Sequence, residues 1–350
     1  MIELRPATDA DATAWQALLG RSEAGDFLHD WAWADVAAFD GQPQRRYVLV
    51  EDGAITGLVA AQVRPLIAGR SFWYVPHGPV LDYADPAAGE RVRAIVIGLR
   101  EAARSHGAIA VKLEPRLPAG HPALSMFEGR GLRRLPEMLQ VGQTRIVDLA
   151  SDKELLAGFD KDTRYSVRRA EREGVSVAAT EDAGSPEAID ALHGLVAETQ
   201  QRAGFPLPAP ERYRTAWRAL GGAGRAAILE ARREGELLAS AMVVLEGDRS
   251  FYLFSGSRRE APGEPKRYAS YALQWAMMRY ARDRGVRQHD LWGVAPADAG
   301  PEHPWHGVGL FKKGFGGREV RWGGSWDIVA SRAVYRLRTA AGIMRGWLPR

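Results

Sequence analysis

A regular order of short apolar strands and amphipathic helices runs through the first half of the chain. Two apolar runs flank Glu51-Asp52-Gly53, and this arrangement predicts a β-hairpin. Apolar residues at helical spacing in 86–105 predict a helix with one buried face. The predicted elements are a strand at 2–5, helices at 8–19 and 27–39, hairpin strands at 47–50 and 55–59, a strand at 72–75, a helix at 86–105 and a strand at 109–113.

The same order of elements returns in the second half of the chain. Gly235 of a second predicted hairpin follows Gly53 by 182 residues, and the aromatic strand that begins at Phe251 follows the one at Phe72 by 179. Matched elements at nearly one offset predict an internal duplication of a mixed α/β unit. Hairpin, strand, helix and strand is the core order of the acetyltransferase-like (GNAT) fold. The repeated elements are strands at 226–229, 237–244, 251–254 and 289–292 and a helix at 271–281.

Composition is that of a folded protein with room for two domains. The chain has 350 residues, of which 46% are hydrophobic and 26% charged, and it has no Cys. The absence of Cys removes disulfides, thiol nucleophiles and cysteine-ligated metals, and it fits a reducing cytoplasm. We expect no signal peptide and no membrane span, because no apolar run reaches about 18 residues. The net charge of +4 and pI near 9.3 indicate an anionic partner: nucleic acid, nucleotide or anionic lipid.

Five glycines lie in the stretch 305–317, where Lys312 and Lys313 stand between Phe311 and Phe315. Glycine lets a backbone approach a ligand closely, and a lysine in apolar surroundings can place one positive charge beside a reacting group. The alternative is a glycine-rich strand whose lysines point to solvent. The stretch is not a Walker phosphate loop, because Phe315 stands where that motif needs Lys.

Two further segments are basic. Lys161, Arg164, Arg168 and Arg172 recur at helical spacing, so they form one helix face that suits phosphate contact or is simply solvated. The stretch 331–350 contains five arginines and no acid. It predicts either a basic amphipathic helix on an anionic membrane or a helix docked on the protein with exposed arginines. We expect no metal site: His303 and His306 are interpreted as structural, since Pro304 between them prevents a regular helical pair.

An ordered set of short motifs covers nearly the whole chain and resembles the Fem family of peptidoglycan bridge-forming aminoacyltransferases. The specificity lies in the order of the set, since no one motif is diagnostic. The motifs are Phe27-Leu28-His29-Asp30-Trp31-Ala32-Trp33, Tyr74-Val75-Pro76-His77-Gly78-Pro79, Leu113-Glu114-Pro115, Thr199-Gln200-Gln201-Arg202-Ala203-Gly204-Phe205, Phe254-Ser255-Gly256-Ser257, Tyr271-Ala272-Leu273-Gln274-Trp275, Asp290-Leu291-Trp292-Gly293-Val294 and Phe311-Lys312-Lys313-Gly314-Phe315.

The resemblance implies an α/β fold of two tandem GNAT subdomains with mixed sheets. They would span 1–148 and 149–317, with 318–350 returning to the first. Residues 187–225 leave no room for the coiled-coil arm of some members. The implied activity is transfer of an amino acid from aminoacyl-tRNA to the side-chain amine of a peptidoglycan stem peptide, which forms the interpeptide bridge. It implies no cofactor, and we expect a cytoplasmic monomer that works at the inner face of the membrane.

The resemblance also assigns site residues. Lys312 matches the family lysine that faces the transferred acyl group, and Phe311 precedes it. Glu114 lies where the family usually has Asp before Pro, which makes it a candidate base. The remaining assignments are substrate contacts at Trp33, Arg202, Arg212, Tyr252, Phe254 and Tyr271, and tRNA contacts at Lys161, Arg164, Arg168, Arg172 and Lys313.

The acceptor and the reaction class leave alternatives open. Members that use a soluble UDP-linked precursor hold it with Lys, Arg and Tyr, where this chain has Ala37, Pro208 and Phe254. Together with the arginine-rich C-terminal stretch, this favours lipid II over the UDP-linked pentapeptide, although Arg202 and Arg212 could compensate. The alternatives are a tRNA-dependent enzyme of secondary metabolism, an acyl-CoA-dependent N-acyltransferase, and a non-catalytic nucleic-acid-binding protein. The chain has no clear pyrophosphate-binding turn for acyl-CoA.

Overall fold

The computed structural model describes residues 2–129, 131–203, 207–260, 266–296 and 299–340; the side chains of 202, 203 and 338–340 are also outside the description. The chain divides into two compact units. The first comprises 1–142 and 321–350, and the second comprises 143–320.

The N-terminal segment supplies most of the first unit. In order, its strands and helices are β1 Ile2–Pro6, α1 Ala12–Arg21, α2 Trp33–Phe39, β2 Gln44–Glu51, β3 Ala54–Pro65, β4 Ser71–Val75, β5 Val80–Leu81, α3 Ala88–Ser105, β6 Ala108–Leu113 and β7 Leu132–Leu135. The predicted single helix over 27–39 is wrong. It is a 3-10 turn, Phe27–His29, followed by α2, because Asp30 is extended and its carboxylate accepts the backbone N–H of Ala32.

The second unit repeats this order. Its elements are β8 Gln143–Asp148, α4 Asp152–Gly158, α5 Lys161–Arg172, β9 Ser176–Thr180, α6 Glu187–Ala203, α7 Pro210–Ala216 continued by a π-helix at Trp217–Gly221, β10 Ala226–Arg233, β11 Glu236–Glu246, β12 Arg249–Ser257, α8 Ala269–Arg282, β13 Gln288–Gly293, α9 His306–Gly314 and β14 Arg318–Arg321. The chain then ends its described part with β15 Ser325–Val329 and α10 Arg332–Ala340.

Each unit is built on one mixed sheet. The first has the order β1-β2-β3-β4-β6-β15-β7, with β5 beside β3, and the second has the order β14-β8-β13-β12-β11-β10-β9. A parallel pair interrupts each antiparallel run: β4 with β6, and β12 with β13. Strand β15 thus returns to the first sheet, whereas β8, which the sequence boundary at 148 placed in the first subdomain, pairs in the second.

The two hairpins that predicted the duplication are formed by equivalent turns. Asp52 and Gly53 have φ of +49° and +85°, and Glu234 and Gly235 have φ of +51° and +82°. Positive φ at both central residues is the type I′ geometry that matches the twist of a two-residue hairpin. The repeated α/β order is therefore confirmed down to the turn conformation.

Helix packing encloses a separate core in each unit. In the first, the apolar face of α3, with Val92, Ile95 and Leu99, packs on the sheet against Trp73 and Val111. In the second, α8 packs in the same way on β10 and β11. No helix in the described part of the chain is long and apolar enough to cross a bilayer.

Candidate active site

Helix α9 forms from the glycine-rich stretch, which is neither a strand nor an open loop. Close packing explains why glycine stands at two of these positions. A Cβ on Gly314 would lie 2.2 Å from Oγ1 of Thr163 in α5, and Gly316 adopts φ of +73° just beyond the helix end. The helix directs its two lysines differently: Lys312 is buried at 6% exposure and Lys313 is exposed.

The amine of Lys312 lies within the second unit beside the end of β13. Its Nζ donates to the carbonyl oxygen of Gly293 at 2.7 Å and lies 5.7 Å from the ring centroid of Tyr252. Burial lowers the pKa of Lys312 to about 8, opposed in part by the negative charge of Asp290. An ammonium group has three donors, and the described residues use one of them. The site therefore holds a desolvated cation near neutral pH that can still donate to a ligand.

A buried polar network lies behind this lysine, and the sequence did not predict it as a unit. Asp290 on β13 accepts hydrogen bonds from the Thr144 hydroxyl and from the backbone N–H of Trp292. His289 pairs through Nδ1 with the Ser250 hydroxyl and through Nε2 with the Gln274 amide, both at 2.7 Å. Burial, reinforced by the charge of Lys312, lowers the pKa of His289 to about 3, so this imidazole is neutral.

An aromatic cluster flanks the helix that carries Lys312. The ring of Phe311 lies 5.1 Å from Tyr271 and 5.1 Å from Phe315. Phe315 in turn packs 5.1 Å from Phe159. Phe311 and Tyr271, which the sequence analysis named separately as site residues, are therefore in direct contact, and this contact fixes α9 against α8.

A broad cavity of about 1090 Å³ opens in the second unit next to this cluster. Tyr271 lines it, whereas Lys312 does not. Tyr165, which is 51% exposed, and Tyr268 also line it, and their rings meet edge to face at 6.1 Å. The cationic lining residues are Arg258, Arg259, Lys266 and Arg267. No local pattern in the sequence indicates that Tyr165 and Tyr268 meet, because they come from α5 and from the segment before α8.

The basic face of α5 divides into two kinds of residue. Lys161, Arg168 and Arg172 are exposed and make no ion pair or hydrogen bond within the described structure. Arg164 differs, because its guanidinium donates to the carbonyl oxygens of Phe159 and Leu156 at the end of α4. Arg164 caps the C-terminal end of α4. Its guanidinium is therefore already occupied, and of the four predicted tRNA contacts on α5 it has the least structural support.

Two more of the predicted substrate contacts lie together elsewhere in the second unit. The ring of Phe254, at a backbone φ of +41°, packs 4.4 Å from Tyr213, and the guanidinium of Arg212 lies 5.6 Å from the Phe254 ring centroid. The structure therefore brings Phe254 and Arg212 together. The side chain of Arg202 lies outside the described residues.

The two predicted site residues of the first unit are both core groups. Glu114 is fully buried; it accepts the Tyr74 hydroxyl at 2.5 Å and the backbone N–H groups of Leu139 and Gln140 at 2.6 and 3.1 Å. Burial raises the pKa of Glu114, although these hydrogen bonds oppose the shift. Trp33 is 4% exposed, with its ring 5.0 Å from Phe27. This geometry favours structural roles over the predicted base and substrate contact.

Known structures share the fold over almost the whole chain. The crystal structure of FemX superposes with a TM-score of 0.85 at 20% identity, over 96% of this chain and 99% of that one. A tandem GNAT protein from the clavulanic acid biosynthesis pathway superposes with a TM-score of 0.53 at 18% identity, over 95% and 99%. The prediction of a tandem GNAT fold is confirmed.

Sequence comparison agrees with the fold. A lipid II:glycine glycyltransferase of Staphylococcus aureus (strain USA300) is 22% identical over 390 aligned positions, covering 89% of this chain and 90% of the relative. The FemAB family model matches residues 224–342, which include β12, β13 and the whole of α9 with Lys312. These matches support assignment of the chain to the FemAB family.

Proposed function

We propose that this protein transfers an amino acid from aminoacyl-tRNA to the side-chain amine of a lipid-linked peptidoglycan precursor. The observation that carries the proposal is the buried ammonium group of Lys312. A positive charge held out of water stabilises an oxyanion far more than an exposed one does. The similar proteins named lipid II:glycine glycyltransferase support the transferase class and the acceptor.

The aminoacyl ester is already activated, so the reaction needs no nucleophile from the enzyme. It needs a group that stabilises the oxyanion. The acceptor amine attacks the ester carbonyl of the aminoacyl group, and the carbonyl oxygen becomes an oxyanion. Collapse of this intermediate forms the amide and expels the ribose hydroxyl of the tRNA. Lys312 has two ammonium donors beyond the one bound to Gly293, and these would face the oxyanion. One such donor lowers the barrier by about 3–4 kcal/mol.

The 3′ end of the aminoacyl-tRNA is proposed to bind in the cavity. The exposed Tyr165 suits stacking with unpaired bases. Arg259 and Lys266 suit phosphates, whereas Arg258 and Arg267 of the lining already pair with Glu236. Helix α5 carries Tyr165 and also the exposed cations Lys161, Arg168 and Arg172. These cations would bind phosphates of the tRNA backbone beyond its 3′ end. Tyr271 lines the cavity and contacts Phe311, which precedes Lys312 in the chain. The aminoacyl end of the tRNA would therefore pass these two rings on its way to Lys312.

The deprotonation of the acceptor amine has no assigned base. An ordinary lysine-type amine is free in about one molecule per thousand near pH 7.4, which adds roughly 4 kcal/mol to the barrier. Glu114 is not proposed for this step, because its carboxylate is occupied by three donors inside the first unit.

A lipid-linked acceptor is proposed over a soluble one because of what two positions lack. Ala37 is a buried apolar residue of α2, and Phe254 packs on Tyr213 without a hydroxyl of its own. Neither supplies a charge to a nucleotide diphosphate, and each missing charge-assisted contact forfeits about 1.5–3 kcal/mol. Arg212, whose guanidinium lies 5.6 Å from the Phe254 ring centroid, is the replacement contact that efficient use of the soluble precursor would identify.

The test offers one mixture of charged tRNAs with lipid II or with the UDP-linked pentapeptide, and detects products by mass spectrometry. We expect an aminoacylated lipid II that depends on charged tRNA, and slower modification of the soluble precursor at equal concentration. Equal or faster turnover of the soluble precursor would contradict the acceptor assignment. Transfer from acyl-CoA in place of aminoacyl-tRNA would contradict the donor.

A further inference from the structure

One end of the first sheet carries an exposed apolar tip surrounded by arginines. Ile67 is 89% exposed on the turn Ile67–Gly69, which joins β3 to β4. An exposed isoleucine side chain would gain free energy if its methyl and methylene groups moved from water into an apolar environment. A single exposed residue needs no explanation, but the surroundings of this one are unusual.

Three chain segments converge at this end of the sheet. Ser71 pairs with Ala108 where the parallel strands β4 and β6 begin, and Ala330 donates to Ile109 where β15 ends. The turn before β6 also lies beside the turn of Ile67, since a Cβ on Gly107 would be 4.0 Å from the Gly69 carbonyl. Residues from 66–70, 104–107 and 330–332 therefore share one surface.

Four exposed arginines lie on or beside this surface: Arg45, Arg70, Arg104 and Arg332. We call these arginines together with Ile67 the basic tip. Nε of Arg104 donates to the carbonyl of Ala330 at 3.1 Å, and Arg45 lies 5.5 Å from the ring centroid of Trp73. No carboxylate of the described residues forms an ion pair with any of the four. His106, whose ring centroid is 5.8 Å from that of Trp73, lies at the same place.

We propose that the basic tip docks the protein on an anionic bilayer, with Ile67 inserted at the headgroup boundary and the arginines on lipid phosphates. Charge complementarity selects an anionic surface, and the aliphatic tip selects lipid over RNA. RNA-binding surfaces use aromatic rings for unpaired bases, whereas an aliphatic side chain gains by leaving water among acyl chains. The basic tip belongs to the first unit, whereas the cavity and Lys312 belong to the second, so the inference does not depend on the proposed reaction.

The test is flotation of the full chain with vesicles of phosphatidylcholine, with and without about 30% phosphatidylglycerol. We expect binding only to the anionic vesicles. Since each basic residue near such a surface strengthens binding about fivefold, R70Q/R332Q should lower the partition coefficient about 25-fold. Ile67→Ser should lower it about tenfold or more without changing the salt dependence.

Arg93→Gln is the matched control, since Arg93 is exposed on α3 without an ion pair and lies about 16 Å along the helix from Arg104. It should change binding less than twofold. Thermal melting of each variant checks folding, and all of these residues are exposed. Absence of wild-type binding, or equal binding by wild type and R70Q/R332Q, would overturn the proposal. So would a loss of tRNA binding in R70Q/R332Q with vesicle binding intact, because the tip would then be a nucleic-acid surface.

Discussion

Nζ of Lys312 donates a hydrogen bond to the main-chain carbonyl oxygen of Gly293 at 2.7 Å, inside the second unit. Gly293 is the last residue of β13, so the sheet itself fixes where the charge lies. A flexible lysine that is anchored on a strand end loses little further freedom when it meets a substrate, which is what preorganised electrostatic stabilisation requires.

Replacement of Lys312 should reduce turnover with little effect on donor binding. Lys312→Met keeps the approximate length and apolar stem but removes the charge, so we expect kcat to fall about 100-fold or more. Lys313→Met on the same helix removes an exposed charge, and it should alter KM for charged tRNA at most. Steady-state kinetics on both variants make the comparison. A kcat for Lys312→Met near that of the wild type would remove this residue from the mechanism.

The same substitution should stabilise the fold. The pKa of Lys312 falls from 10.5 to about 8 on burial, so the folded protein disfavours the proton that the unfolded chain keeps. That difference corresponds to about 3 kcal/mol of destabilisation below pH 8. After allowance for the lost bond to Gly293, Lys312→Met should raise the free energy of unfolding by about 2 kcal/mol at pH 7.

The sign of this effect gives its pH dependence. Between pH 8 and 10.5 the unfolded wild-type chain binds one more proton at Lys312 than the folded one, so wild-type stability rises with pH in that window. The advantage of Lys312→Met should therefore shrink through the window and become a deficit of about 1 kcal/mol above it, because the lost bond to Gly293 is then the difference that remains. Urea denaturation at several pH values measures it, and a constant difference across the window would mean that burial does not perturb this amine.

The duplicated fold could be predicted because its signals are local. Two hairpin turns with Gly at the second position and an aromatic strand after each fix most of the order. Helix α9 was harder, since five glycines near it argue against a helix. It is stabilised by tertiary contacts, such as the approach of Gly314 to Thr163 and the burial of Phe315.

The polar network behind Lys312 could not be predicted, for a different reason. Ser250, Gln274 and His289 come from a strand, a helix and the next strand, and only the packing of α8 on the sheet brings them together. No spacing in the sequence encodes that contact. The motif containing Lys312 was visible because the lysine and its aromatic neighbours are adjacent along the chain.

The exposed cations of α5 should control binding of charged tRNA. Reversal of Lys161, Arg168 and Arg172 to Glu removes three unpaired charges, so we expect weaker binding and a salt dependence flatter by about two to three units of slope. Arg169→Gln is the matched control on the same helix, because Arg169 already pairs with Glu173. Binding measured by fluorescence anisotropy from about 50 to 200 mM salt separates them. An unchanged slope in the triple variant would identify α5 as a solvated surface.

Glu114 provides the sharpest contrast between prediction from sequence and geometry. At the end of a buried strand it looked like a base, but the segment at 139–140, distant in sequence, covers it and donates two N–H groups.

Glu114→Ala would leave those donors and the Tyr74 hydroxyl without their acceptor in a buried site, so the free energy of unfolding should fall by about 3 kcal/mol. Tyr74→Phe removes only one of the three bonds and should lower it by about 1 kcal/mol. In both variants kcat per folded molecule should stay within about threefold of wild type, since no reacting atom is touched. Chemical denaturation and active-site-normalised kinetics on the same preparations give the two numbers. If Glu114→Ala retained its stability but lost about 100-fold in kcat, the carboxylate would be the catalytic base that the sequence suggested.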